Sequence, residues 1–373
     1  MSVLLKKPLF EGISQKALVQ QLESKKKAKD KLPTWFNTER IYYPPKLHIE
    51  QSSSELTADY KAGLVDGKNL VDVTGGFGVD SYSFSKKMSS VIHCEINSEL
   101  SEIVQHNFNR LKVENIKCHA LDGLVFLKES SSQFDWIFID PSRRNDRKGK
   151  VFLLKDCEPN VPNVLAELFA ASKNVLVKVS PLLDISQTVN ELNHVKEIHV
   201  VAVDNEVKEI LFLLNANFKG ETDYYAVNLY KGKKDIFKFR AKEEKDVQTD
   251  LGMPHTFLYE PNAAILKSAA FKSIGNRYGL KKLEKHSHLY TSEQLIEFPG
   301  SRFKIKSTVP YSKSTMTSFK AVKANVTTRN FNSSVAEIRK KYKIQDGGKD
   351  YLFFTKTLDN KYKVLICEKI ASE

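Results

Sequence analysis

From about residue 69 the chain alternates short apolar runs with amphipathic stretches. Asn69–Thr74, Val91–Glu95, Ile116–Ala120, Asp135–Asp140 and Asn174–Val179 read as buried strands. Val79–Lys87, Ser98–Leu111 and Val161–Ala171 carry apolar residues at helical spacing between them. Strands separated by helices predict a parallel sheet covered on both faces. Glu197–Val203 and Val207–Leu214 break the rhythm. They are β-rich and joined only by Asp204-Asn205-Glu206, which predicts a terminal hairpin and one antiparallel strand.

Outside this region the pattern changes. Ser14–Lys31 reads as a basic amphipathic helix stopped by Leu32-Pro33, and Tyr42-Tyr43-Pro44-Pro45 as extended chain. Ser53–Gly63 predicts a short helix before the first strand. Beyond Asn215, Lys231–Lys245 reads as a charged hairpin or linker, Tyr259–Tyr278 as a helix and His286–Leu295 as a strand with a turn. Strands at Arg302–Thr308, Ala321–Thr327, Tyr351–Thr355 and Tyr362–Glu368, with a helix at Ser333–Tyr342, make a further small α+β unit. Four parts follow: residues 1–48, a basic helical amino-terminal extension; 49–217, the doubly wound sheet; 218–298, a small α+β module; and 299–373, a basic terminal unit.

The junction between the first strand and its helix, Asp72-Val73-Thr74-Gly75-Gly76-Phe77-Gly78-Val79-Asp80, carries the sharpest chemistry. Glycines let the backbone turn tightly and approach a ligand closely, and the helix start beyond offers free N–H groups. The spacing is G-G-x-G. A nicotinamide site wants G-x-G-x-x-G, and its third glycine is missing here. With the terminal hairpin, the loop resembles that of class I S-adenosylmethionine (SAM) methyltransferases, and the sheet is expected to be their seven-stranded, Rossmann-like one. That resemblance implies cofactor contacts from Asp72, Thr74, Gly75, Gly76, Phe77, Gly78 and Asp80. Glu95 and Ile96, at the end of the second strand, would meet the ribose side, although a carboxylate 20 residues past Gly75 suits NAD equally. Asp122 and Gly123 would meet the adenine amino group, and Asp122 suits a helix N-cap as well.

At the carboxyl end of the fourth strand stands Asp140-Pro141-Ser142-Arg143-Arg144, where ligand chemistry collects in such sheets. Amino-methyltransferases acting on nucleobases carry N/D-P-P-Y/F here. The acid or amide oxygen and a backbone carbonyl then orient the target amine. Ser142 replaces the second proline, and Arg143 replaces the aromatic that would stack on a flipped base. Arg143 can stack through its guanidinium or bind phosphate. These residues are the catalytic candidates, Asp140 also touching the cofactor. No cysteine stands in this motif or after the fifth strand, which favours transfer to nitrogen over pyrimidine carbon and leaves oxygen open.

The glycine element is also similar to the D-A-T-A-G-L-G-R-D of a small-subunit ribosomal RNA guanine-N2 methyltransferase. Leu258-Tyr259-Glu260-Pro261-Asn262-Ala263-Ala264 and Asn325-Val326-Thr327-Thr328-Arg329-Asn330-Phe331 resemble bacterial methyltransferases with a THUMP-like carboxyl-terminal domain. That resemblance implies a ferredoxin-like module over 218–298, a THUMP-like domain over 299–373, SAM as cofactor, and tRNA or rRNA as partner.

Charge points the same way. The chain of 373 residues carries a net +13. Ser301–Glu373 holds 16 Lys/Arg against 6 Asp/Glu, and Met1–Leu47 holds 10 against 4, which leaves the middle slightly acidic. Basic ends around a near-neutral centre suit a polyanion. Arg143, Arg144, Lys304, Lys306, Arg329, Arg339, Lys340 and Lys341 are the RNA-binding candidates. Four scattered cysteines suggest neither disulfides nor a zinc site, and His286 and His288 read as surface residues on a strand. No apolar run approaches the roughly 18 residues of a membrane span, and no secretory leader is evident, so a cytoplasmic protein without metal is expected. Small-molecule or protein methylation, and RNA binding without catalysis, remain as alternatives.

Overall fold

A computed structural model describes residues 12, 14–143 and 153–371. The chain forms two units, Met1–Ile198 with Glu209–Gly220, and His199–Lys208 with Glu221–Glu373.

The first unit opens with four helices, α1 (Gln15–Lys31), α2 (Pro33–Asn37), α3 (Lys46–Gln51) and α4 (Glu55–Ala62). The amino-terminal segment is part of the core rather than a loose arm. Trp35 is fully buried, edge-on to Tyr82 at 4.8 Å and 6.3 Å from Phe77. Ser24 and Gln21 donate to the carbonyls of Pro44 and Tyr43, tying α1 to the proline-rich stretch. Ser54 caps α4 through a reciprocal bond with Thr57.

Strands β1 (Asn69–Asp72), β2 (Ser90–Cys94), β3 (Ile116–His119) and β4 (Trp136–Ile139) alternate with helices α5 (Val79–Ser85), α6 (Ser98–Arg110) and α7 (Gly123–Glu129). All four residues of β4 are buried, as expected of a central parallel strand. A two-residue pairing, β5 (Ser142–Arg143) with β6 (Cys157–Glu158), stands apart from the sheet. Next come α8 (Val161–Ala171), β7 (Asn174–Val179), α9 (Ile185–Glu191), β8 (Val195–Val203) and β9 (Glu206–Asn215). Asp204 and Asn205, both at positive φ (48° and 64°), make the tight turn between β8 and β9. β9 runs antiparallel to β7, while β7, β4, β1, β2 and β3 are mutually parallel.

The sheet is longer than the sequence suggests. Strands β10 (Asp223–Tyr230) and β11 (Lys233–Arg240) pair antiparallel, and the order is β11-β10-β8-β9-β7-β4-β1-β2-β3. The charged 231–245 stretch is thus the turn and second strand of a hairpin, followed by α10 (Ala241–Asp246).

The second unit also holds a seven-stranded sheet. Its strands are β12 (Phe257–Pro261), β13 (Lys281–Lys282), β14 (Tyr290–Ser292), β15 (Gly300–Pro310), β16 (Asn325–Arg329), β17 (Asp350–Lys356) and β18 (Tyr362–Lys369), in the order β13-β14-β12-β15-β18-β17-β16. The long helix expected at Tyr259–Tyr278 does not form. Leu258 and Tyr259 are buried in β12 between β14 and β15. Asn262 then caps α11 (Ala263–Ser268), and Ala269 at φ 60° ends it before α12 (Ser273–Arg277). A short helix α13 (Lys313–Thr317) follows β15, and α14 (Val335–Tyr342) crosses between the parallel strands β16 and β17. His286 and His288 lie between β13 and β14 rather than on a strand, and His288 stacks on Phe271 with ring centroids 3.7 Å apart. No described helix is long and apolar enough to cross a membrane.

Candidate active site

β1 lies between β2 and β4, and the glycine loop leaves its carboxyl end. Three glycines meet three separate demands. A Cβ on Gly75 would stand 2.2 Å from Nε2 of His93, which packs directly beneath the loop. Gly76 adopts φ +54° and donates its N–H to Glu95 Oε2 at 2.9 Å. Gly78 adopts φ +76° at the start of α5, where a Cβ would lie 2.6 Å from the Phe108 ring. His93 is fully buried, and neither ring nitrogen has a hydrogen-bond partner among the described residues. Burial holds its pKa down to about 4, so the imidazole is neutral.

Asp72, at the end of β1, is buried and accepts from Thr74 N–H (3.1 Å) and Ser81 Oγ (2.6 Å). Burial pushes its pKa up to about 8; the Ser81 bond opposes the rise and the charge of Asp80 adds to it. Thr74 joins the loop to the fourth strand, because Asp140 donates its backbone N–H to Thr74 Oγ1 at 2.7 Å. Glu95 also accepts from Asn97 N–H at 2.8 Å, so its two oxygens fasten the glycine loop to the start of α6. Asp122 caps α7 through Leu124 N–H at 2.7 Å, and Gly123 lies where a Cβ would meet Val73 O at 2.4 Å. Ile96 is 72% exposed on the rim. Phe77 points inward onto Trp35 and Tyr43 and can offer a ligand only its main chain. Pro141 is buried and Ser142 exposed. The side chain of Arg143, and all of Arg144, lie outside the described residues.

Asp80 faces a partner the sequence did not reveal. Its carboxylate accepts from Ser53 Oγ at 2.7 Å and lies 3.1 Å from Lys61 Nζ. Lys61 is wholly buried and donates to both oxygens of Glu209 on β9, at 2.8 and 2.7 Å. A second lysine, Lys178 at the end of β7, donates to Asp140 Oδ2. The buried Lys61, the half-buried Lys178 and the carboxylates of Asp80, Asp140 and Glu209 therefore gather at the strand ends. Lys178 had left a trace in the sequence, as the one charge in Asn-Val-Leu-Val-Lys-Val. Lys61 and Glu209 had left none.

In the second unit the proposed RNA-binding cations divide. Lys306 pairs with Asp350 (3.0 Å) and Glu368 (3.4 Å), and Arg329 with Glu260 (2.8 Å). Arg339 binds Asp346 and the carbonyls of Ala324 and Ile344, which makes it a pin for its own fold. Lys304, Lys340 and Lys341 are exposed, Lys341 lying over the Tyr342 ring at 5.2 Å. No cluster of three or more His, Cys, Asp or Glu side chains suited to a metal occurs among the described residues.

Residues 257–299 match a ferredoxin-like domain family and residues 300–369 a THUMP domain-like family. Over 99% of its length the chain superposes on 94% of a Porphyromonas gingivalis W83 protein provisionally described as a methyltransferase, with 33% identity and a TM-score of 0.90. It is also 30% identical, over 94 residues, to an RNA methyltransferase of Mycoplasma mobile that is itself uncharacterised. That match covers 25% of this chain and 25% of the relative, so the chain spans a quarter of the length of that curated protein.

Proposed function

We propose, for a chain that belongs to the methyltransferase family of the Porphyromonas gingivalis structure and carries a THUMP-like domain, that it methylates a nitrogen of a base in tRNA or rRNA, with SAM as donor. The observation that carries this reading is the Thr74–Asp140 hydrogen bond, which fastens a cofactor-type glycine loop to an acceptor-type Asp-Pro motif. Residues 49–217 would be the catalytic domain, 1–48 its amino-terminal extension, 218–298 and 299–373 the parts that engage RNA, and the cytoplasm the place of action.

The residues present fit the cofactor. Gly75 and Gly78 stand where any Cβ would collide with His93 or Phe108, so the loop keeps the bare backbone a ligand can approach. The carboxylates of Glu95 and Asp122 suit ribose hydroxyls and an adenine amine, while Asp72, whose oxygens accept from Thr74 and Ser81, holds the loop in place. When bound, SAM supplies a methyl group on a positively charged sulfur. Asp140 and the Pro141 carbonyl accept the hydrogens of the target amine and aim its lone pair at that methyl, a gain mainly of orientation. The nitrogen's proton then leaves through Asp140 toward water.

Labelled methyl transfer from SAM to total RNA from cells lacking the protein tests this. Counts in a tRNA or rRNA band, abolished by Asp140→Ala with SAM binding intact, are expected. SAM binding without counts in RNA would shift the acceptor to a small molecule or protein. No SAM binding would end the methyltransferase reading.

A further inference from the structure

The buried charges form a chain graded in depth. The Lys61–Glu209 pair is sealed, with side chains 0% and 3% exposed. Lys178 is 13% exposed and Asp140 31%, so the outer pair opens toward the strand ends where the acceptor enters. A purely structural ion pair gains nothing from such an opening, and burying two charges is costly unless they are well compensated. Compensation is present on both sides. Burial works against the charge of Lys178, but Asp140, Glu209 and Asp80 outweigh it and hold its pKa well above the ordinary lysine range. Lys178 is therefore a fixed cation and cannot serve as a base. Asp140 is fixed differently. Its main chain is anchored by Thr74, and its side chain alone decides between Lys178 and another partner.

We propose that Lys178 is the positioning residue of the acceptor site: it holds the Asp140 carboxylate aimed along the strand ends, and Glu209 balances the ammonium when Asp140 turns to the target amine. The idea rests on the methyltransferase reading above. In the step it serves, the acceptor nitrogen forms the N–C bond as the donor's S–C bond breaks, leaving a thioether. One proton leaves the nitrogen by way of Asp140 to solvent. The titratable groups around the Lys178–Asp140 pair are Glu209 on β9, Asp80 on α5, Asp72 on β1 and Lys61 on α4.

The test uses the full chain, with single-turnover transfer to RNA, SAM affinity by calorimetry, and rescue by the conservative variant. Lys178→Met should slow transfer about 100-fold, a typical loss for a misaimed reacting group. SAM affinity should stay within about twofold, since the glycine loop, Glu95 and Asp122 are untouched. Lys178→Arg should recover most of the rate. If the Met variant does not fold, Lys178→Gln, which keeps a donor without charge, replaces it with the same expectations. A wild-type rate in the uncharged variant would overturn the inference, as would loss of SAM affinity in parallel with rate. An inactive wild-type protein would overturn the methyltransferase reading and this inference together. An active wild type with an indifferent Lys178 variant would overturn this inference alone.

Discussion

Lys61 and Lys306 are both lysines ion-paired to two carboxylates, one in each unit, yet they belong to different kinds of electrostatics. Lys61 is 0% exposed and its partner Glu209 only 3%, whereas Lys306 and Asp350 are 43% and 50% exposed. In the first unit, a few charges are desolvated, mutually dependent and close to the glycine loop. In the second, cations are numerous, and those such as Lys304, Lys306, Lys340 and Lys341 are exposed. Buried pairs fix geometry at a cost in desolvation, while exposed ones contribute long-range attraction that salt screens. The first unit therefore holds its buried carboxylates in fixed directions, while the exposed cations of the second act at longer range.

The largest effect on binding should come from the part of the first unit with least room. Gly75→Ala drives a methyl into His93, and the loop must move. Calorimetry should show SAM affinity reduced by about 100-fold or more, because overpacking a fixed backbone forces shifts of its neighbours. Retained affinity would mean that the contact with His93 does not shape the loop. Next comes the direct comparison of the two lysines. Lys61→Met strands Asp80 and Glu209 and should cost about 3–5 kcal/mol in denaturant unfolding, whereas Lys306→Met should cost less than about 1 kcal/mol. Equal costs would erase the distinction between the units.

His93 sharpens the comparison through pH. The folded state keeps it neutral to about pH 4, while an unfolded chain takes up the proton near pH 6.5. Its contribution is therefore complete above about pH 6.5 and is lost as pH falls through 4, a window worth roughly 3 kcal/mol. Urea midpoints at stepped pH should show this slope in the wild type and a flatter one in His93→Leu; identical slopes would remove His93 as its source. The smallest effect belongs to the exposed cations. Lys304→Ala or Lys340→Ala should lower the salt dependence of RNA affinity by about one counterion each, with melting temperature unchanged. A drop that ignores salt would argue against phosphate contact.

Sequence patterns disclosed what depends on local chemistry. The Asp122 cap, the glycine loop and the apolar β4 all act within a few residues of themselves. The same local logic misled at Tyr259–Tyr278, where apolar residues at helical spacing are split between a buried strand and two short helices. Long-range pairing was invisible. Lys61 meets Glu209 across 148 residues, and the carboxylate that holds Lys178 lies 38 residues earlier in the chain. No periodicity encodes such encounters; only the folded sheet brings them together. Charge counts misled in a different way. Lys306, Arg329 and Arg339 contribute to the basic total, yet each is engaged by a carboxylate of its own unit.

The single hydroxyl of Thr74 bears on how such a domain can diversify. Because that oxygen receives the Asp140 amide, the glycine loop and the segment after β4 share one small hinge-pin. A lineage can redraw the residues after Asp140 one at a time. At position 74 it has almost no freedom, since serine is the one other small side chain that keeps the oxygen in place, and any wider drift would unfasten both loops in one step.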